Sequence, residues 1–89
     1  MPELTERRAE QALWDAGYLI RPGMGTDLLV LDSNGTKVAF ASLRRSDQRW
    51  TARKLGGCMS FATPHVVADS PCVGLVQVLG ITSAISNQN

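Results

Sequence analysis

Apolar and polar residues change their spacing several times along this chain, and each change marks an element. Ala9, Ala12, Leu13 and Ala16 recur at the i, i+3, i+4, i+7 interval of one helix face. Thr5 stands where an N-cap hydroxyl is wanted, Glu6 favours the first turn, and Gly17 suits the left-handed residue that ends a helix. The spacing predicts a helix over residues 5–16. Its stripe is alanine-rich, so it must lie close against whatever it covers.

Beyond Gly17 the pattern is that of strands. Tyr18 to Arg21 reads as an extended run stopped by Pro22-Gly23, and Gly23-Met24-Gly25 makes a loop. Leu28 to Leu31 is a continuous apolar run suited to a central strand. Asn34-Gly35 then predicts a hairpin, with Lys37 to Leu43 as the returning strand. After the polar turn Arg45 to Gln48, Arg49 to Leu55 forms another strand. There Trp50 and Ala52 share one face, and Arg49, Thr51 and Arg53 the other.

The last third carries mixed signals. Thr63-Pro64 and Ser70-Pro71 both read as helix openings, an N-cap followed by proline. Cys72, Leu75, Val76 and Leu79 keep a helical interval and Gly80 would stop it. Against this stand the β-branched Val73, Val76, Val78 and Ile81, and Gly74, which weakens a helix by roughly 1 kcal/mol relative to alanine. Residues 71–81 are thus helix or final strand, with the helix favoured. The expected fold is α+β in two layers: an N-terminal helix, a three- or four-stranded antiparallel meander and a C-terminal helix. A chain of 89 residues makes one domain, here 1–85, with 86–89 a frayed tail. Its core would be thin, and Val73 to Ile85 carries no charge. If that stretch is a strand it would lie at a sheet edge and could pair with its copy in a second chain, and if it is a helix Val73 and Val78 would be left to find a partner; either route suggests a two-fold homodimer.

Charge changes the picture more than composition does. The net charge is only +1, but Lys37, Arg44, Arg45, Arg49, Arg53 and Lys54 face the single Asp47 within residues 37–54, while residues 1–36 are acidic. Such asymmetry points to an acidic partner surface or to phosphates. The plainer alternative is the polar outer face of a meander, where Lys and Arg discourage edge pairing. Trp14 falls off the apolar stripe of the first helix, and either covers a sheet edge or forms an exposed anchor.

Catalytic chemistry is sparse. His65 is the sole histidine, and the carboxylates are scattered. Cys58, His65, Asp69 and Cys72 are the one group of ligand-capable types, with His65 and Asp69 one helical turn apart if that segment is a helix. Structural zinc sites usually take cysteines in close pairs, and none is present. A Cys–His nucleophile built from the same residues would need an orienting group and a water-excluding cleft. Gly23-Met24-Gly25-Thr26-Asp27 lacks the third glycine or the lysine of a phosphate loop and leads into a strand. The expectation is a chain that is not an enzyme and has no cofactor or metal. No stretch approaches the ~20 apolar residues of a membrane span, and the acidic, polar start is the reverse of a secretory signal. A cytoplasmic location follows, with Cys58 and Cys72 as free thiols.

The α-β-β-β-α order resembles that of double-stranded-RNA-binding domains, which would imply nucleic-acid binding. That family's last helix begins with lysines, whereas Ser70 to Leu75 has no basic residue. The capped helix from Thr5 to Ala16, the hairpin on Asn34-Gly35 and the charged meander ending Arg49-Trp50-Thr51-Ala52-Arg53 together resemble the small inhibitors that bacteriophages encode against host defence, the anti-CRISPR proteins among them. That resemblance implies a viral binding protein that docks on a nucleic-acid-targeting bacterial complex, protein or ribonucleoprotein, and blocks it. Direct nucleic-acid binding is the alternative. The residues expected to meet the partner are Lys37, Arg44, Arg45, Arg49, Arg53, Lys54 and Trp14.

Overall fold

The computed structural model describes residues 4–55 and 65–81. In chain order the elements are α1 (Glu6–Asp15), β1 (Leu19–Pro22), β2 (Leu28–Leu31), β3 (Lys37–Arg44), β4 (Arg49–Lys54), β5 (His65–Ala68) and α2 (Pro71–Leu79). The α+β class expected from the pattern is what the chain adopts. α1 starts as its sequence dictates: the Thr5 hydroxyl accepts from the Arg8 amide at 3.2 Å, and the chain leaves through Gly17 at φ +93°. Ala9 and Leu13 are fully buried.

The strands form a single antiparallel sheet in the order β1-β2-β3-β4-β5, so every strand pairs with its sequence neighbours. It has five strands, not three or four. The addition is β5, a run of four residues too short to show a period, whose Val66 and Val67 pair with Ala52 and Thr51. The helix opening expected at Thr63-Pro64 lies outside the described residues, but from His65 the chain is already a strand. With five strands between the helices, the order also departs from that of an RNA-binding α-β-β-β-α domain.

The β2–β3 hairpin is closed by Asp32 as much as by Asn34-Gly35. Asp32 Oδ1 accepts from the Asn34 and Thr36 amides, each at 2.9 Å, and only Gly35 takes a positive φ. The β3–β4 turn ends in the same left-handed conformation at Gln48, a residue that pays in strain for what glycine does freely. Arg44 Nη2 and Asp47 Oδ2 lie 3.4 Å apart across that turn.

Both helices cover one face of the sheet. Ala9 and Leu13 of α1, Cys72, Leu75 and Val76 of α2, and Val30, Ala39, Ala41 and Ala52 of the sheet make one buried cluster. Its sheet side is mostly methyl groups, which lets α2 approach closely. A Cβ on Gly74 would stand 3.1 Å from Ala52 Cβ and 3.4 Å from Ala68 Cβ, so the glycine that weakens the helix is what allows it to dock. Residues 71–79 are helix because tertiary packing outweighs their β-branched character. Val73 and Val78, expected to seek a partner, are half-buried against this cluster.

Ser70 precedes Pro71 as expected but makes no side-chain cap. Instead Glu6 Oε1, in the first turn of α1, accepts from the Cys72 amide at 2.9 Å. A carboxylate from one helix therefore caps the start of the other, where the helix dipole favours negative charge.

Candidate partner-binding face

In an antiparallel sheet, residues that pair share a face, and successive residues alternate. Val30, Ala39, Ala41, Ala52 and Ala68 face the helices. The opposite face, which no described element covers, is therefore read off the same registers. Its widest row runs Arg21, Leu29, Phe40, Arg53, His65 across all five strands. Next to it on β3, β4 and β5 come Ser42, Thr51 and Val67, and then Arg44 opposite Arg49.

A bulge decides where Lys37 goes. Val30 pairs with Ala39 but Leu31 pairs with Lys37, which leaves Val38 unmatched. Val38 joins Ala39 toward the core, and Lys37 turns to the open face opposite Leu31. Leu19, Leu31, Leu29 and Phe40 thus gather as half-buried apolar residues at the β1–β3 side. Arg44, Arg49, Arg53 and His65 gather at the β3–β5 side. The face is amphipathic across its width, which strand-by-strand alternation could not reveal.

Between the arginines the surface dips into a shallow depression of about 290 Å³ lined by Arg44, Thr51, Arg53, His65 and Val67. Thr51 is buried and forms its floor. Two of the guanidinium groups are tethered by carboxylates at the rim: Arg44 by Asp47, and Arg49 by Asp69, with Nε to Oδ1 at 3.1 Å. Among the described residues Arg53 makes no ion pair, and it pairs across strands with His65. The depression therefore offers two guanidinium groups and an imidazole to an oxyanion.

The expected site residues divide. Lys37, Arg44, Arg49 and Arg53 share the open face. Arg45 lies in the exposed β3–β4 turn beside them. Lys54 pairs with Ala39, so it points to the helix side at the end of β4. Trp14 is 43% exposed on α1, in the helix layer, so the sheet separates it from the arginines. His65 was not among the expected binding residues; no local signal marks it, because only the β4–β5 register sets it beside Arg53. Leu29 and Phe40 were missed for the same reason.

The ligand-capable group does not assemble. His65 begins β5 and Asp69 follows its end, so no helical turn joins them, and Cys72 lies on the far side of the sheet. Among the described residues no three His, Cys, Asp or Glu side chains are grouped to hold a metal; Cys58 lies outside those residues. Cys72 is a free, buried thiol. A position near a helix start would ordinarily ease a thiol toward thiolate. Burial pushes Cys72 the other way, and the hydrogen bond and negative charge of Glu6 add to that, which favours the protonated thiol. No helix among the described residues is long and apolar enough to cross a membrane.

No protein-family profile matches the chain, and no curated protein or solved structure matches it.

Proposed function

We propose that this chain is a non-enzymatic binding protein that docks through the open sheet face, as a phage-type inhibitor that blocks a nucleic-acid-targeting bacterial defence complex. The observation that carries the docking reading is the open face itself. Among the described residues the five-stranded sheet carries helices on one side, and the other side joins apolar side chains to Arg44, Arg49, Arg53 and His65. The buried, protonated Cys72 thiol and the scattered carboxylates of the described residues support a binding role over a chemical one. The inhibitor role is supported by the resemblance of the whole chain to small phage inhibitors, and the basic residues of the face suit an acidic partner surface.

The test replaces Arg44, Arg49 and Arg53 together by Glu. All three are exposed, and ion pairs at such positions contribute only about 0–1 kcal/mol, so the fold should survive. Purified CRISPR surveillance complexes of different types are passed over the immobilised chain, and their target binding is measured in its presence. The wild-type chain is expected to retain one of them and suppress its target binding, and the triple variant to do neither. Equal retention by both chains would place the contact elsewhere; retention of none would remove the inhibitor role. Nucleic-acid binding through the same face is the second reading, favoured by Arg53 standing beside His65. It requires affinity for oligonucleotides to fall steeply as salt rises.

A further inference from the structure

We propose that the open face recognises an acidic, apolar peptide segment of a partner protein: a bulky apolar side chain seats on Leu29, Leu31 and Phe40, and a carboxylate enters the depression between Arg44 and Arg53. This rests on the docking reading above and gives its partner a chemistry.

The apolar side of the face is aliphatic apart from Phe40, which suits a leucine or an aromatic residue of a peptide. Bases of a single strand would instead need several aromatic platforms, since they bind by stacking. The charge also suits a peptide. Asp47 and Asp69 already offset Arg44 and Arg49, which leaves Arg53 as the guanidinium at the depression without a carboxylate partner among the described residues, while Arg21 and Lys37 lie apart from it at the β1–β3 side. That is enough for one or two carboxylates and weak for a phosphodiester chain, which draws its affinity from neutralising many phosphates. Thr51 at the floor adds a hydroxyl to the two guanidinium groups, a donor set that fits a carboxylate at short range.

Geometry sets the spacing. Leu29 on β2 and Arg53 on β4 stand two strands apart, about 10 Å at the usual ~4.8 Å per strand. An extended peptide covers that distance in about three residues. The segment should therefore carry its Asp or Glu about three positions from its Leu, Phe or Trp.

The experiment selects from a random peptide library displayed on phage against the immobilised chain. The recovered peptides are then synthesised and their affinity measured by fluorescence anisotropy. Enrichment of acidic residues about three positions from a large apolar residue is expected. Arg53→Glu and Phe40→Thr should each weaken the recovered peptides by about tenfold or more, with unchanged circular dichroism. Arg8→Glu, exposed on α1 in the helix layer, should leave binding unchanged. A consensus without carboxylates, or full binding by Arg53→Glu, overturns the proposal. So does tighter binding of a ten-residue oligouridylate probe than of any recovered peptide. If the peptides fail while the triple arginine variant still loses its complex, the peptide chemistry is wrong and the docking reading stands.

Discussion

At the scale of single residues, Glu6 shows how one side chain serves two elements. It favours the start of α1 by its charge and caps α2 by accepting the Cys72 amide, 66 residues later. The same carboxylate helps keep the Cys72 thiol protonated, together with burial, which is the larger cause. A thiol whose pKa is raised by folding contributes stability below its unfolded value and loses it as pH rises beyond that value. With the unfolded thiol near 8.5, this contribution should begin to fall at about pH 8.5, by up to about 1.4 kcal/mol per pH unit. Denaturant unfolding of the wild-type chain and of Cys72→Ala between pH 7 and 10 checks it: the wild type should lose stability more steeply. Parallel pH curves for the two chains would mean that Cys72 ionises without opening the core.

At the scale of elements, α2 is where local propensity and packing conflict. Gly74 weakens the helix, yet it is the position that meets Ala52 and Ala68. Gly74→Ala should therefore be read as two opposed effects. It gains up to about 1 kcal/mol of helix propensity but places a methyl group at 3.1 Å from Ala52 Cβ, closer than such atoms rest. Overpacking of this kind costs about 1–3 kcal/mol, so net destabilisation of about 1 kcal/mol is expected. Ala52→Gly in the same chain should recover part of it. Thermal melts of the two variants decide the matter, and a more stable Gly74→Ala would show that α2 can lift off the sheet at little cost.

At the scale of the whole molecule, the charge-free C-terminal stretch is drawn into the core as far as Ile81, which is buried; Thr82 to Ile85 lie outside the described residues. The residues whose exposure favoured a homodimer, Val73 and Val78, pack internally. Among the described residues the large apolar side chains left exposed are Trp14 on α1 and Met24 in the β1–β2 loop. The edge strand β1 ends in Arg21 and Pro22, which discourage pairing with another sheet. Light scattering at micromolar concentration should report the mass of one chain. Twice that mass, retained in Phe40→Thr, would point to pairing along the β5 edge; a dimer lost in that variant would place self-association on the open face.

The amino-acid sequence alone specifies the elements whose signals are local. α1 follows from Thr5, the alanine stripe and Gly17; the hairpins follow from turn residues; the α+β class follows from their order. It also determined that the basic residues cluster between Lys37 and Lys54. What it could not determine depends on contacts between distant segments. β5 becomes a strand because β4 offers it an edge, and α2 becomes a helix because Gly74 and the sheet alanines let it dock. Its cap comes from Glu6, where Ser70 next to it makes none. The candidate site belongs to the same class. Alternation places Arg49 and Arg53 on one face, but only the register sets His65 and Phe40 on either side of Arg53, and only the bulge at Val38 turns Lys37 toward them. Side-chain period is a property of one strand. A shared face is a property of five, and register, which tertiary packing sets, is what joins them.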